Sequence, residues 1–445
     1  MTRTEERLAD ALHASAARVQ DDNLRPFPAP EPGTEPRARR RAAWRPWLVP
    51  AAAAASVALV IGLAVAVTGG PARTGQSPAV PGRAAGPVAG FPEYFVQVVA
   101  GSSGRSAEIR SVSTGLVVAL PPVPQVPGWS LRLDTAAAAP DGKTFYLDYD
   151  ADRVVKSSVT RELWIYRVSI TASGSVTPLT RIKGGEISGG AALGTGGSMA
   201  VSPDGTRLAL TTADTTVRLS RNTQGWPDQV IVVDLRTGLR SVWQGGLYRS
   251  GLAFTISDIS WTANGRSLVF LALWCADPGD MSVCGGTPGP HHYRDTQVRS
   301  LSVGTGGGTL GRSEVLLTQS ARYPVIASVT AGPGPAELTA VVLSGPRESD
   351  GAWSTVVVYR FSTTDGAVLG VAYYAGAVGE ERQPNGVAIS ADPSGRYQLL
   401  TYIGPLGLYT GWIGSGRLHL LPVPYLLPKL LPNNQKQYPG GIAVW

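Results

Sequence analysis

Met199-Ala200-Val201-Ser202-Pro203-Asp204-Gly205, followed at once by Thr206-Arg207-Leu208-Ala209-Leu210, sets two short apolar runs on either side of a polar turn. Gly supplies the positive φ that such a turn needs, and Asp hydrogen-bonds its own backbone a residue or two on. The stretch therefore predicts two antiparallel strands joined at Gly205. The pattern recurs at residues 137–142 before Phe145-Tyr146-Leu147, at 259–265 before 268–271, and at 387–395 before 397–400. A degraded copy, Gly332-Pro333-Gly334, precedes residues 338–341. The turn glycines Gly142, Gly205, Gly265, Gly334 and Gly395 lie 63, 60, 69 and 61 residues apart. Asp141, Asp204 and Asn264, with Gly142, Gly205, Gly265 and Gly395, are expected to shape turns rather than to catalyse.

A second series of turns interleaves with the first: Thr114-Gly115, Ser173-Gly174, Thr237-Gly238, residues 304–308, Asp365-Gly366 and residues 414–416. Each follows a β-rich run, such as 163–170 or 230–235. Two interleaved hairpin series make a four-stranded antiparallel unit that repeats about every sixty residues, which describes propeller blades. The first blade lacks its inner strand. Gly441-Ile442-Ala443-Val444-Trp445 resembles Ser257-Asp258-Ile259-Ser260-Trp261 without the turn that follows. The expectation is an all-β, six-bladed propeller over residues 91–445, closed by that last strand, with Ile442 and Val444 on one face and Trp445 on the other.

Ser202-Pro203-Asp204-Gly205, with looser copies at residues 139–142 and 391–395, resembles the repeat of TolB-like, WD-type propellers. The resemblance covers about 355 residues. It implies a fold and a habit of binding proteins or ligands, not a reaction.

Upstream of the repeats the composition changes. Thr2 and Glu5 have capping-box spacing, and Leu8, Leu12, Ala16 and Val19 recur every three or four residues, as in a short amphipathic helix. That segment reads either as a frayed tail or as a docking helix for a cytoplasmic partner. Five Arg between Arg37 and Arg45 then precede an uncharged stretch from Trp47 to about Val67. About twenty apolar residues span a hydrocarbon core of roughly 30 Å, and the Arg cluster holds its own side cytoplasmic. Ala64-Val65-Ala66 fits a signal-peptide cleavage pattern, but 46 residues lie ahead of the apolar run, so an uncleaved signal-anchor is favoured. Residues 69–90 hold six Gly, four Pro and no acidic residue. They read as a flexible tether with a reach of about 25 Å. The expected organisation is thus a cytoplasmic tail over 1–46, a membrane-spanning helix over 47–68, a linker over 69–90 and an extracytoplasmic propeller over 91–445.

The formal net charge of +7 is diffuse, with no basic cluster after residue 68, which argues against nucleic acid. Asp148, Asp150 and Asp152 alternate as cation ligands could, yet Arg153 and Val159 stand where an EF-hand loop needs Gly and Glu, so a solvated hairpin loop is expected. His291, His292 and Asp295 share a Gly/Pro-rich segment, and the remaining exported His is His419. They are too few for a zinc site, and no nucleophile elbow, H-E-x-x-H or P-loop appears. Cys275 and Cys284 flank a turn in an exported segment, which reads as a disulfide.

The leading functional expectation is a non-enzymatic binding or scaffolding module without cofactor, held at the cell membrane. Its partner is a protein or small ligand at a propeller face, with residues 274–293, 321–323 and 345–353 as recognition loops. The alternatives are a transmembrane sensor whose N-terminal helix meets a cytoplasmic regulator such as a sigma factor, and an enzyme using the propeller channel.

Overall fold

The computed structural model describes residues 91–101, 104–156, 158–191, 198–214, 228–247, 253–275, 293–304, 306–320, 323, 325–344, 355–375, 387–392, 394–404, 407–414, 417–420, 429–430, 436–437 and 441–444. The expected tail, spanning helix and linker lie outside them.

Blade one holds β1 (Tyr94–Gly101), β2 (Gly104–Ser111) and β3 (Val117–Ala119). Blade two holds β4 (Ser130–Ala138), β5 (Thr144–Val155), β6 (Ser158–Ser169) and β7 (Thr180–Ser188). In blade three, β8 (Gly190–Ala191) and β9 (Met199–Val201) share one edge of β10 (Arg207–Asp214), followed by β11 (Asp228–Asp234) and β12 (Arg240–Gln244). Blade four runs β13 (Ala253–Trp261), β14 (Ser267–Cys275), β15 (Tyr293–Ser302) and β16 (Glu314–Thr318). Blade five runs β17 (Val325–Ala331), β18 (Glu337–Ser344), β19 (Thr355–Ser362) and β20 (Val368–Ala375). Blade six runs β21 (Ala388–Ala391), β22 (Gln398–Gly404), β23 (Gly407–Gly414) and β24 (Arg417–Leu420). A separate two-stranded ladder joins β25 (Lys429–Leu430) to β26 (Lys436–Gln437), and β27 (Gly441–Val444) comes last.

The fold expected from the sequence needs correction in one respect: among the described residues, hydrogen bonds do not close the sheets into a ring. Every described ladder ends within its own sheet, and no described strand pairs with a strand of a neighbouring blade. The last strand pairs antiparallel with β1, placing Val444 opposite Val96 and Ile442 opposite Val98, and so makes the first sheet four-stranded. What joins one blade to the next is side-chain packing, together with hydrogen bonds outside the ladders such as the backbone bridge between Trp243 and Gly308. No helix among the described residues is long and apolar enough to cross a membrane, and the expected spanning segment 47–68 lies outside them. The one helical turn among them is the 3-10 segment Leu310–Arg312.

The packing between blades explains the long apolar runs. Each sheet is covered on both faces, so its middle strands are buried throughout: all seven residues of β17 are inaccessible, as are Leu208 to Ala213 in β10. Six apolar clusters each straddle two consecutive sheets. Ile109 and Val96 meet Leu147 and Tyr149, Ile165 meets Leu210, and Trp243 meets Phe270. Further round, Leu271 meets Phe361, Val341 meets Ile389, and Leu399 meets Phe95.

Both turn series fall on one rim. The inner turn of blade two precedes Thr144, and β6 returns to pair Ser169 with Thr144 before its own hairpin at Gly174. The first described residues join this same rim: Pro92 lies beside Gly142, and the Phe91 ring packs edge-on to Tyr397 at 4.6 Å and Trp412 at 4.9 Å. The opposite rim carries the tip of the β5–β6 hairpin, where Val154, Val155 and Val159 are exposed.

Candidate functional site

The inner strands β4, β9, β13, β17 and β21 surround a central cavity of about 80 Å3, room for several waters. Its wall is polar where a strand core would usually be apolar: Thr135, Ser198, Asp258, Ser260, Thr330 and Asp392 all line it.

Three of the links along this wall obey one rule. Ser198 of blade three accepts the Ile259 amide of blade four, at 2.7 Å to Oγ. Asp258 of blade four accepts the Val329 amide of blade five. Ser328 of blade five accepts the Ile389 amide of blade six, at 3.0 Å. In each case the residue just before the shared inner-strand position reaches across to the next blade, so a backbone donor facing the channel is satisfied without a ladder. Ala388 holds the corresponding place in blade six and has no acceptor to offer. Ser260 adds a parallel contact, accepting the Ala331 amide at 3.1 Å, and the Trp261 indole donates to the Ala200 carbonyl at 3.1 Å.

Asp258 is the ionisable member of this series. It sits in a β-bulge, where Ser257 pairs with Leu271 but Ser260 pairs with Val269, and its φ is +52°. Left-handed backbone is uncommon outside glycine, and Asp and Asn tolerate it best. The residue is half-buried and lines the cavity. Burial pushes its pKa up to about 7, against the opposing effect of donors from Ser328, Val329 and Ser257. Asp228, at the start of β11, is similar. It accepts the Ile256 amide of the next blade at 2.8 Å, and burial lifts it to about 8 despite hydrogen bonds from Thr255 and Ile256.

The turn residues singled out in the sequence occupy the rim. Asp141 accepts the Lys143 and Thr144 amides at 2.9 and 2.8 Å, Asp204 the Thr206 amide at 3.0 Å, and Asn264 the Arg266 amide at 2.9 Å. Gly142, Gly205, Gly265 and Gly395 have φ of 64°, 71°, 65° and 70°. Cys275 ends β14, while Cys284, His291, His292 and Trp445 lie outside the described residues, so the disulfide expectation does too. Ile442 and Val444 are placed by register alone.

Other candidates are not where the sequence reading put them. Asp148, Asp150 and Asp152 belong to strand β5 and not to a loop. Asp148 is fully buried with neither oxygen hydrogen-bonded; burial, then the charges of Asp134 and Asp150, push its carboxyl well above the usual range. Asp150 pairs with Arg132 at 2.7 Å and Asp152 with Arg161 at 3.6 Å. Among the described residues no group of three His, Cys, Asp or Glu could hold a metal ion. Trp274, expected to open a recognition loop, is core: it is 1% exposed and donates to the Leu247 carbonyl at 2.9 Å. His419 stacks on Trp412 at 4.1 Å.

The sequence reading missed Ser198, Asp258 and Ser328. A signal was present: Ser198 and Asp258 both stand seven residues before their turn glycines, as does Thr135. One polar residue at a fixed place in an apolar repeat marks a shared structural task.

No known sequence family and no curated protein matches the chain. Solved structures similar to it include TolB from Acinetobacter baumannii, with 14% identity, a TM-score of 0.42 and 79% of this chain covered. The chain spans 65% of that protein's length. The Swd1 β-propeller domain of Myceliophteria thermophila follows at 13% identity and a TM-score of 0.38, covering 76% of this chain and 85% of its own. A nidogen/laminin complex gives 12% identity and 0.39, with 79% and 97% covered.

Proposed function

We propose that the protein is a non-enzymatic binding scaffold, tethered to the cell membrane through residues 47–68 and exposing its propeller outside the cell. The observation that carries the reading is where the chain joins the propeller. Phe91 and Pro92, where the described chain enters the propeller, pack against the turn rim and cover part of it. The turn rim is also self-contained, because its Asp and Asn side chains are spent on their own backbone amides. The opposite rim instead presents the β5–β6 hairpin tip, with Val154, Val155 and Val159 exposed beside Arg153 and Lys156. Binding rather than catalysis is favoured because the carboxylates at the channel are already engaged: Asp258 with the next blade, Asp392 with the Tyr397 amide at 2.7 Å.

Photo-crosslinkers placed in the full-length membrane-resident protein test this. Crosslinks to a partner are expected from Val155 and Val159 and not from Ser173 or Arg236. Crosslinks confined to the turn-rim positions would reverse the assignment. Release of the chain by alkaline washing, or a mature chain beginning near Val67, would remove the tether.

A further inference from the structure

We propose that Asp258 is a proton-held catch in the channel wall: when neutral it keeps the inner strands of blades four and five together, and on losing its proton it draws water into the cavity and loosens that joint. The proposal stands whether or not the propeller is tethered, since it concerns the wall alone.

Its strongest support is an internal comparison. Three successive blades make the same inter-blade link, and two of them make it with serine. A hydroxyl therefore suffices to hold the amide, and a carboxyl at the middle link adds one property the others lack, a titratable charge. That carboxyl also sits at the wall of a cavity large enough for water. It occupies a bulged, left-handed position that turns it away from regular pairing. Its partner Ser328 both donates to it and accepts from Ile389, so a change at Asp258 is passed to blade six.

Among the described residues, no opposite charge is placed to hold the ionised form. β9 and β17 bring no ionisable side chain, and β14 none between Ser267 and Trp274. Arg207, leading into β10, is spent over the Trp261 ring at 4.5 Å and on the Gly265 carbonyl. From β4, Asp134 pairs with Arg105 at 2.8 Å. Asp392 is tied into its own turn, and Asp228 engages Ile256 on the same strand. With burial raising its pKa to about 7, Asp258 changes charge near neutrality. The sign follows from linkage. Opening hydrates the carboxyl and returns it to its ordinary value near 4, so the closed wall holds its proton more tightly than the open one. Closure is thus fullest below about pH 4, weakens as pH rises from there and levels off above about 7.

Hydrogen exchange on the full-length protein between pH 6 and 8.5, corrected for intrinsic rates, reads this directly. Protection at Val329 and Ile389 should fall by about ten-fold across that range, as expected for one proton lost on opening. Ile259, held by Ser198, should stay flat. Asp258→Asn, which tolerates the left-handed backbone, should abolish the pH dependence at Val329. Ser328→Ala should strip protection from Ile389 and leave the response at Val329. Flat protection at Val329 in the unmodified protein, or an unchanged response in D258N, overturns the proposal.

Discussion

The turn rim and the channel wall use the same side chain to opposite effect. On the rim, Asp141, Asp204, Asp234 and Asp365 lie at or near water and accept amides from within their own turns. Burial opposes ionisation at Asp141 and Asp204, yet the hydrogen bonds win, and all four carboxyls sit below their usual range. Between the blades, Asp228 and Asp258 accept an amide from the next sheet, Asp148 accepts nothing, and burial drives all three upward. Where the donors are local and solvent is near, a carboxylate is a stable turn element. Where the donors belong to another blade and solvent is scarce, it becomes a responsive one.

The largest test of this contrast removes part of the wall. Truncation after Gly440 deletes β27, the inner strand of blade one, and bares the edge of β1 from Val96 to Val99. At about 1 kcal/mol net per ladder bond, the loss should reach about 4 kcal/mol. That is a large share of a typical total of about 5–15 kcal/mol. A truncated protein with an unchanged urea midpoint would show that the wall does not depend on its sixth strand.

Acidity separates the two regions next. The inter-blade carboxyls have folded pKa values raised above the unfolded value of 3.8, so their stabilisation is complete below it and is lost as pH climbs towards 7 and 8. The rim carboxyls are shifted down, so theirs is present above 3.8 and disappears in stronger acid. The urea midpoint should therefore fall from pH 5 to pH 8, and D228N should flatten the slope. A midpoint that rises across this range would contradict the contrast.

Within the rim, a close joint can be told from an open turn. A methyl on Gly395 would overlap the Gly332 carbonyl of the previous blade, whereas one on Gly174 meets nothing within 4 Å. Both have positive φ, so Gly174→Ala should cost about 1 kcal/mol from the backbone alone, and Gly395→Ala about 2–3 kcal/mol. Equal losses in denaturant melts would mean that the joint gives way freely. Asp204→Ala at pH 7, which removes local bonds in solvent, should cost about as little as Gly174→Ala, about 1 kcal/mol.

Much of the fold was legible because turns announce themselves. Gly205 and Gly238 need positive φ, and no other residue meets that need as readily, so the two hairpin series could be counted directly. Even the degraded fourth copy keeps its place, with the Gly332 amide bonded to Glu337 as Ser202 is to Arg207. The channel site was harder to read for the converse reason. A serine or aspartate within a strand looks like an ordinary solvent-facing alternation, and nothing local reveals that it faces another blade sixty residues away. Asp148 misled in the same way: alternating acids resemble a loop until β5 is seen to run the full twelve residues from Thr144 to Val155.

The way the rim turns rest on one another has a consequence for how such a chain can grow. Gly205 sits against Pro140 and Gly265 against Pro203, each turn leaning on the same position of the turn before it. The module of blade three thus carries both halves of the joint, Gly205 that fits and Pro203 that receives. A tandem copy of one module inherits a working connection on each side. Lengthening the array by duplication then requires no new fit to be invented, and later divergence is free to fall on the opposite rim.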